Sequence, residues 1–157
     1  PVVERNLSGG RNFERGRQLF GEVACAACHR FVSEGGSVGP ELTGVAGRFS
    51  VHDLLESIVE PSKVISDQYE AILITKKNGD VLSGRIGNLA GASIHVVEDM
   101  FDPGRMTDVK RSEIASIEPS TVSMMPAGLI NTLKAEEISD LVAYLFSRGD
   151  PGHKSFH

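Results

Sequence analysis

The 157-residue sequence predicts an α+β chain in which helical segments at both ends enclose a run of short antiparallel strands. Three observations carry that expectation. Apolar residues recur at helical spacing over residues 13–20, 50–59 and 135–145. Strand-forming runs separated by turn signals fill residues 69–117. The two cysteines of the chain fall together in Cys25-Ala26-Ala27-Cys28-His29, directly after the first helical segment.

The pentapeptide carries the chemistry. Two thiols three residues apart can each add across a vinyl group of a haem, and a histidine directly after the second is then held beneath the iron as its proximal ligand. The motif therefore reads as the attachment site of one covalent haem c, with Cys25 and Cys28 as its anchors and His29 as a metal ligand. Two other chemistries use the same residues. A dithiol redox pair belongs at the start of a helix in a strand–helix–strand context, whereas the stretch before Cys25 reads as helix. A closed zinc site would have to recruit both cysteines, His29 and one of His52, His95, His153 or His157.

Charge and hydropathy narrow the classes further. A net charge of −5 and a pI near 5.5 offer no basic footprint for nucleic acid or an anionic membrane surface. No apolar run approaches membrane-spanning length. Pro1-Val2-Val3-Glu4-Arg5-Asn6 lacks the charged start and apolar stretch of a signal peptide. Covalent haem is attached outside the bacterial cytoplasm, so the expected location is periplasmic or otherwise exported, and the chain is expected to be a processed product or a piece of a longer one.

Taken in order, residues 1–11 carry Ser8-Gly9-Gly10 and read as a flexible lead-in. Asn12 can cap a helix whose Gly16, Leu19 and Phe20 share one face, with Glu14 in the first turn. A glycine inside a helix costs about 1 kcal/mol relative to alanine, so Gly16 suggests that another backbone passes close by. Residues 35–44 have loop composition. A proximal histidine needs its second ring nitrogen hydrogen-bonded; Pro40 is the candidate carbonyl, and Leu42 the candidate to lie on the haem face. Ser50-Val51-His52-Asp53 forms a capping box that opens a helix with Leu54, Leu55, Ile58 and Val59 as its buried stripe, and Pro61 stops it.

The central region changes period. Tyr69–Lys76 and Val81–Ile86 flank an Asn78-Gly79 hairpin turn, Ala92–Val97 follows Ala90-Gly91, and Met106–Val109 and Ile114–Ile117 complete five short strands. Five antiparallel strands that return to their starting point suggest a small closed barrel of SH3-like shape. Residues 67–118 hold nine acids against six bases, so this region is no basic docking patch. A last helix is expected from Ala135 through Leu141 and Tyr144 to Gly149, followed by a disordered tail from Gly152.

Gly16–Phe20, the Cys25–His29 motif, Gly39-Pro40-Glu41-Leu42 and Leu141-Val142-Ala143-Tyr144-Leu145 together resemble a class I cytochrome c. More narrowly, Val38–Gly44, Leu54–Ile65 and Ser123–Leu129 resemble the haem-binding domain at the C-terminal end of large secreted proteins of planctomycetes and their relatives. The resemblance implies an electron carrier rather than an enzyme, a cytochrome c-like helical domain whose last helix crosses the first at Gly16 and Phe20, and a redox partner protein or fused dehydrogenase-like domain. Between Pro61 and the sixth ligand a small cytochrome needs only a short path, so the strands read as an insertion. The expected parts are residues 1–66, an inserted β-domain over 67–118, and 119–157. In such cytochromes the coordinating methionine commonly precedes a proline, which selects Met125 within Ser123-Met124-Met125-Pro126 as the second metal ligand, with Met124 as its rival. Histidine–histidine ligation stays open. So does a gas-binding or sensor module, should the sixth site be open or weakly held.

Overall fold

The computed structural model describes residues 2–157 and divides into two compact units. One takes in the chain up to Glu60 together with Ala127–His157; the other is Pro61–Pro126.

The first unit is helical. It contains α1 (Val2–Asn6), α2 (Phe13–Glu22), the single turn α3 (Cys25–Cys28), a two-residue ladder of β1 (Arg30–Phe31) and β2 (Glu34–Gly35), and α4 (Val51–Val59). Asn12 caps α2 by accepting the Arg15 N–H at 2.9 Å, as a β-region residue with a short polar side chain should. Ser50 caps α4 by accepting the Asp53 N–H at 3.1 Å, and its hydroxyl donates to the Asp53 carboxylate at 2.8 Å. Leu54 and Ile58, four apart, are the buried stripe of α4. Val59 does not join them: it is 55% exposed, because one further residue turns the side chain about 100° away from Ile58.

The last helix of this unit, Ala135–Phe146, closes the core. It buries Ser139 and every residue from Leu141 to Leu145, so its second half is surrounded rather than amphipathic. Its crossing with α2 is set at Gly16, where a β-carbon would lie 2.7 Å from Tyr144 Cβ and closer still to the Asp140 carbonyl oxygen. An edge-to-face aromatic cluster fills the space beside the crossing: Phe31–Tyr144 at 4.8 Å, Phe13–Tyr144 at 5.3 Å and Phe20–Tyr144 at 6.0 Å between ring centroids.

Both chain ends depart from expectation, the first from a flexible lead-in and the last from a disordered tail. The lead-in folds as α1, whose Asn6 side chain donates to the buried Ser139 hydroxyl at 3.2 Å. The tail forms a short 3₁₀ turn over Lys154–Phe156, and Phe156 stacks edge-on against Phe13 at 5.3 Å. The two ends satisfy each other's backbone, Arg11 N–H donating to Ser155 O at 2.8 Å and Gly10 N–H to His157 O at 3.3 Å. One aromatic residue near the terminus supplies the apolar anchor that makes this ordering worthwhile.

The second unit holds β3 (Ile72–Lys76), β4 (Val81–Ala90), β5 (Ser93–Val97), β6 (Thr107–Lys110) and β7 (Ile114–Pro119) in one antiparallel sheet of order β6-β5-β4-β3-β7. Ile74, Ile94, Val96 and Val109 form its core, with Ile72, Leu82 and Ile114 packed against them. The turn at Asn78-Gly79 is a three-residue loop, Lys77–Gly79, with only Gly79 at positive φ (94°) and Lys76 N–H bonded to Asp80 O at 2.8 Å. Gly91, at φ 60°, opens a two-residue turn of the Gly-first type before β5.

No closed barrel is found among the described residues. The first and last strands of the run do pair, β3 with β7, but β6 and β7 remain the two edges of the sheet. The long β4 pairs with β3 through residues 81–84 and with β5 through 85–90, with a register shift between Ile86 and Asn88. That irregularity bends the strand. The 3₁₀ turn at Arg111–Glu113 then carries the chain from one edge to the other without a ladder between them. Closure requires a fixed stagger as well as the right strand count, and the count alone does not encode it.

Two outcomes follow for this fold. Alanine at Gly16 would gain about 1 kcal/mol of helix propensity, but the overlap it creates is with backbone and cannot be relieved by a rotamer. Gly16→Ala is therefore expected to lower stability by a net ~1–3 kcal/mol in denaturant unfolding. At the start of the last helix the Lys134 N–H donates to the Glu137 carboxylate at 2.9 Å and Arg15 pairs with it at 2.6 Å. The Lys134 amide first, and Arg15 next, hold the Glu137 carboxyl below its ordinary value of 4.5. A depressed carboxyl contributes stability above its unfolded value and loses it as pH falls through the lower folded value. Glu137→Gln is expected to melt below the parent at neutral pH, with the gap closing below about pH 4 in thermal melts across pH.

Candidate functional site

The site begins with a turn of backbone. Ala24 ends α2 in the left-handed region (φ 67°), which redirects the chain into the single helical turn Cys25–Cys28. Residues three apart on a helix share a face, so this turn sets the two cysteines side by side. The His29 N–H closes the turn on Cys25 O at 2.9 Å, and His29 itself is extended (φ −102°, ψ 141°). The sequence thus delivers two half-buried thiols and an imidazole from one short, hydrogen-bonded segment.

The following loop wraps that segment. Gly36 N–H donates to Ala26 O at 2.9 Å, Gly39 N–H to Cys28 O at 2.8 Å and Leu42 N–H to Arg30 O at 2.9 Å. Between the last two tethers lies Pro40, whose carbonyl oxygen is 2.6 Å from His29 Nδ1. A carbonyl can only accept, so Nδ1 carries the proton and Nε2 keeps its lone pair. Burial pushes the imidazole pKa below its ordinary value, with the Pro40 bond acting in the opposite direction, and the net effect favours the neutral, metal-binding form. Gly39 leaves room for the ring; a β-carbon there would stand 3.0 Å from Cε1 and 3.1 Å from Nδ1.

The donor set fits haem c better than the alternatives. Burial, the largest cause, pushes the Cys25 thiol up to about 11, so it stays protonated at neutral pH rather than forming the thiolate that disulfide exchange requires. Among the described residues no group of three or more His, Cys, Asp or Glu side chains is placed to hold a metal ion, the arrangement a closed zinc site would need. Two side-by-side thiols and an imidazole with Nδ1 committed and Nε2 available could hold a haem c through two thioethers and one nitrogen ligand.

The other predicted residues fall as follows. Leu42 is half-buried in the loop beyond Pro40. Met125 lies near the end of the second unit, half-buried like Met124, and its N–H donates to the Ser123 hydroxyl at 3.1 Å. Met100 is buried in that unit and Met106 is 44% exposed. His52 is exposed in the first turn of α4, 3.5 Å from Glu56, and His95 on β5 faces Asp108 of β6 at 3.7 Å. His153 caps the terminal 3₁₀ turn by accepting the Ser155 N–H. Sequence reasoning missed the tethers that flank Pro40, because backbone donors leave no signature in residue type.

Comparison with known proteins bears on the class. The cytochrome c family model matches residues 13–79, somewhat under half of the chain, and supports a c-type cytochrome. That family implies covalently bound haem c, iron and electron transfer, and its domains are typically carriers rather than enzymes and commonly exported. No curated protein matches the chain. Among the described residues no helix is long and apolar enough to cross a membrane.

Because Gly39 touches the imidazole, Gly39→Ala is expected to shift the ring or its loop by a few tenths of an ångström. The holoprotein should lose ~1–3 kcal/mol of stability and show a displaced His29 Nδ1–H proton resonance. An unmoved resonance would mean the ring is not seated on this glycine.

Proposed function

We propose that the chain is an electron-transfer module that holds one haem c through Cys25 and Cys28 and ligates its iron with His29 and Met125. The observation that carries the reading is the 2.6 Å bond from His29 Nδ1 to Pro40 O, beside a helical turn that pairs the two thiols. Bound there, haem supplies a one-electron Fe(III)/Fe(II) couple, and no substrate bond is made or broken. His29 presents Nε2, and Pro40 fixes its tautomer and ring plane. Met125 is selected by its place before Pro126; its soft, neutral thioether favours the reduced state and raises the potential. Phe20, Leu54 and Tyr144, all buried, and Leu42, half-buried, form the apolar shell that lowers the local dielectric.

In this reading the strand-bearing part of the chain is an inserted β-domain of the planctomycete type, with cytochrome segments over 1–66 and 119–157. Support comes from the sequence runs Val38–Gly44, Leu54–Ile65 and Ser123–Leu129, and from five strands that all fall within the second unit. Electrons arrive from a redox partner or a fused dehydrogenase-like domain, in the periplasm or another exported setting.

The test is an absorption spectrum of the ferric and ferrous holoprotein. A sulfur-to-iron charge-transfer band is expected in the ferric form, lost in Met125→Ala and kept in Met124→Ala, with a ferrous spectrum indifferent to carbon monoxide. An unchanged band in Met125→Ala would remove that ligand. Rapid carbon monoxide binding by the unaltered ferrous protein would point instead to a gas-binding module with an open sixth site.

A further inference from the structure

The hairpin directly after His29 is strained. Its two turn residues, Val32 (φ 48°) and Ser33 (φ 68°), both adopt the left-handed conformation that such a turn normally assigns to Asn-Gly. For a β-branched residue this is a true outlier, with a cost on the order of 1–3 kcal/mol that surrounding contacts must offset. Three contacts do so. Phe31 is fully buried against Tyr144, the Val32 side chain rests on Gly149, and the Val32 N–H donates to the Thr43 hydroxyl at 2.9 Å.

Thr43 is itself clasped. Its hydroxyl donates to one oxygen of the Glu41 carboxylate, and its N–H donates to the other at 3.0 Å. The loop is thus tied to alternate residues of the attachment segment: Gly36 to Ala26, Gly39 to Cys28, Leu42 to Arg30, and Thr43 to Val32. The first three ties are backbone to backbone. Only the last depends on a side chain, and it anchors the loop three residues beyond the carbonyl that accepts from His29.

We infer that Thr43, oriented by Glu41, is a positioning residue for His29: by locking the Val32 turn to the loop it holds the Pro40 carbonyl against Nδ1 and so sets the donor strength of the imidazole. The inference rests on the reading of His29 as an iron ligand. A strong Nδ1–H···O=C bond raises ligand basicity and favours the ferric state. Loosening the clasp should therefore raise the reduction potential.

The experiment compares Thr43→Val, Thr43→Ser and Glu41→Gln in the haem-loaded protein. Thr43→Val keeps the shape and removes the hydroxyl. Loss of one hydrogen bond of ordinary strength is expected to speed Val32 amide exchange about five- to tenfold, move the His29 Nδ1–H proton resonance upfield and shift the potential upward. Thr43→Ser should restore all three, and Glu41→Gln should give a smaller shift of the same sign. Faster Val32 exchange with an unchanged His29 resonance and potential would overturn the proposal, leaving Thr43 as a fold residue only. Should Thr43→Val fail to fold, Glu41→Gln decides by the His29 Nδ1–H resonance, because losing the carboxylate charge raises the potential by itself: an upfield move supports the proposal and an unmoved resonance overturns it. A spectrum of the unaltered protein without histidine ligation would instead remove the underlying reading, and it is recorded first.

Discussion

An imidazole that is to bind a metal through one nitrogen needs its other nitrogen committed elsewhere, and in this chain the commitment is the bond from His29 to the Pro40 carbonyl. Much of the first unit serves to keep those two groups in register. The loop from Gly36 to Thr43 is tied back at four points to alternate residues of the Ala26–Val32 segment, so the carbonyl sits between fixed points rather than at the tip of a mobile loop. Such dense tethering explains how a glycine-rich stretch can build a site of defined geometry. Its glycines, far from loosening it, allow the loop to lie against the histidine ring and the backbone of Ala27.

Behind that loop stands the crossing of α2 with the last helix. Gly16 brings the two backbones together, and the rings of Phe13, Phe20, Phe31 and Tyr144 fill the volume beside the contact. Phe31 belongs to the strained hairpin after His29, so the aromatic cluster and the candidate site share a residue-level connection. Packing energy collected at the crossing is thereby available to hold backbone that would otherwise relax. The paired chain ends extend the same cluster through Phe156.

The second unit follows a different logic. Its core is a small set of β-branched and aliphatic side chains drawn from several strands, and its sheet is bent at the irregularity in β4 rather than curled into a barrel. The two edges that remain are short, four and six residues, and carry charged side chains at Asp108, Lys110 and Glu118. Such edges are poor templates for pairing with another chain.

Much of this was legible in the residues themselves. Local rules located the caps at Asn12 and Ser50, the close approach at Gly16 and the five strands, because caps, turns and periodicity are properties of neighbouring residues. The Pro40 carbonyl was a candidate on chemical grounds alone, since a histidine with this role requires an acceptor. The rest depended on contacts between residues far apart in the chain. Whether Phe156 finds Phe13, whether β6 meets β7, and whether Thr43 reaches Val32 are settled by packing and stagger, and no local signal reports them. Residue order was enough to pick out the thiols and the imidazole as the groups able to carry chemistry; how firmly that imidazole is held emerges only from the fold, because the firmness comes from backbone donors and long-range contacts to which residue type is nearly blind.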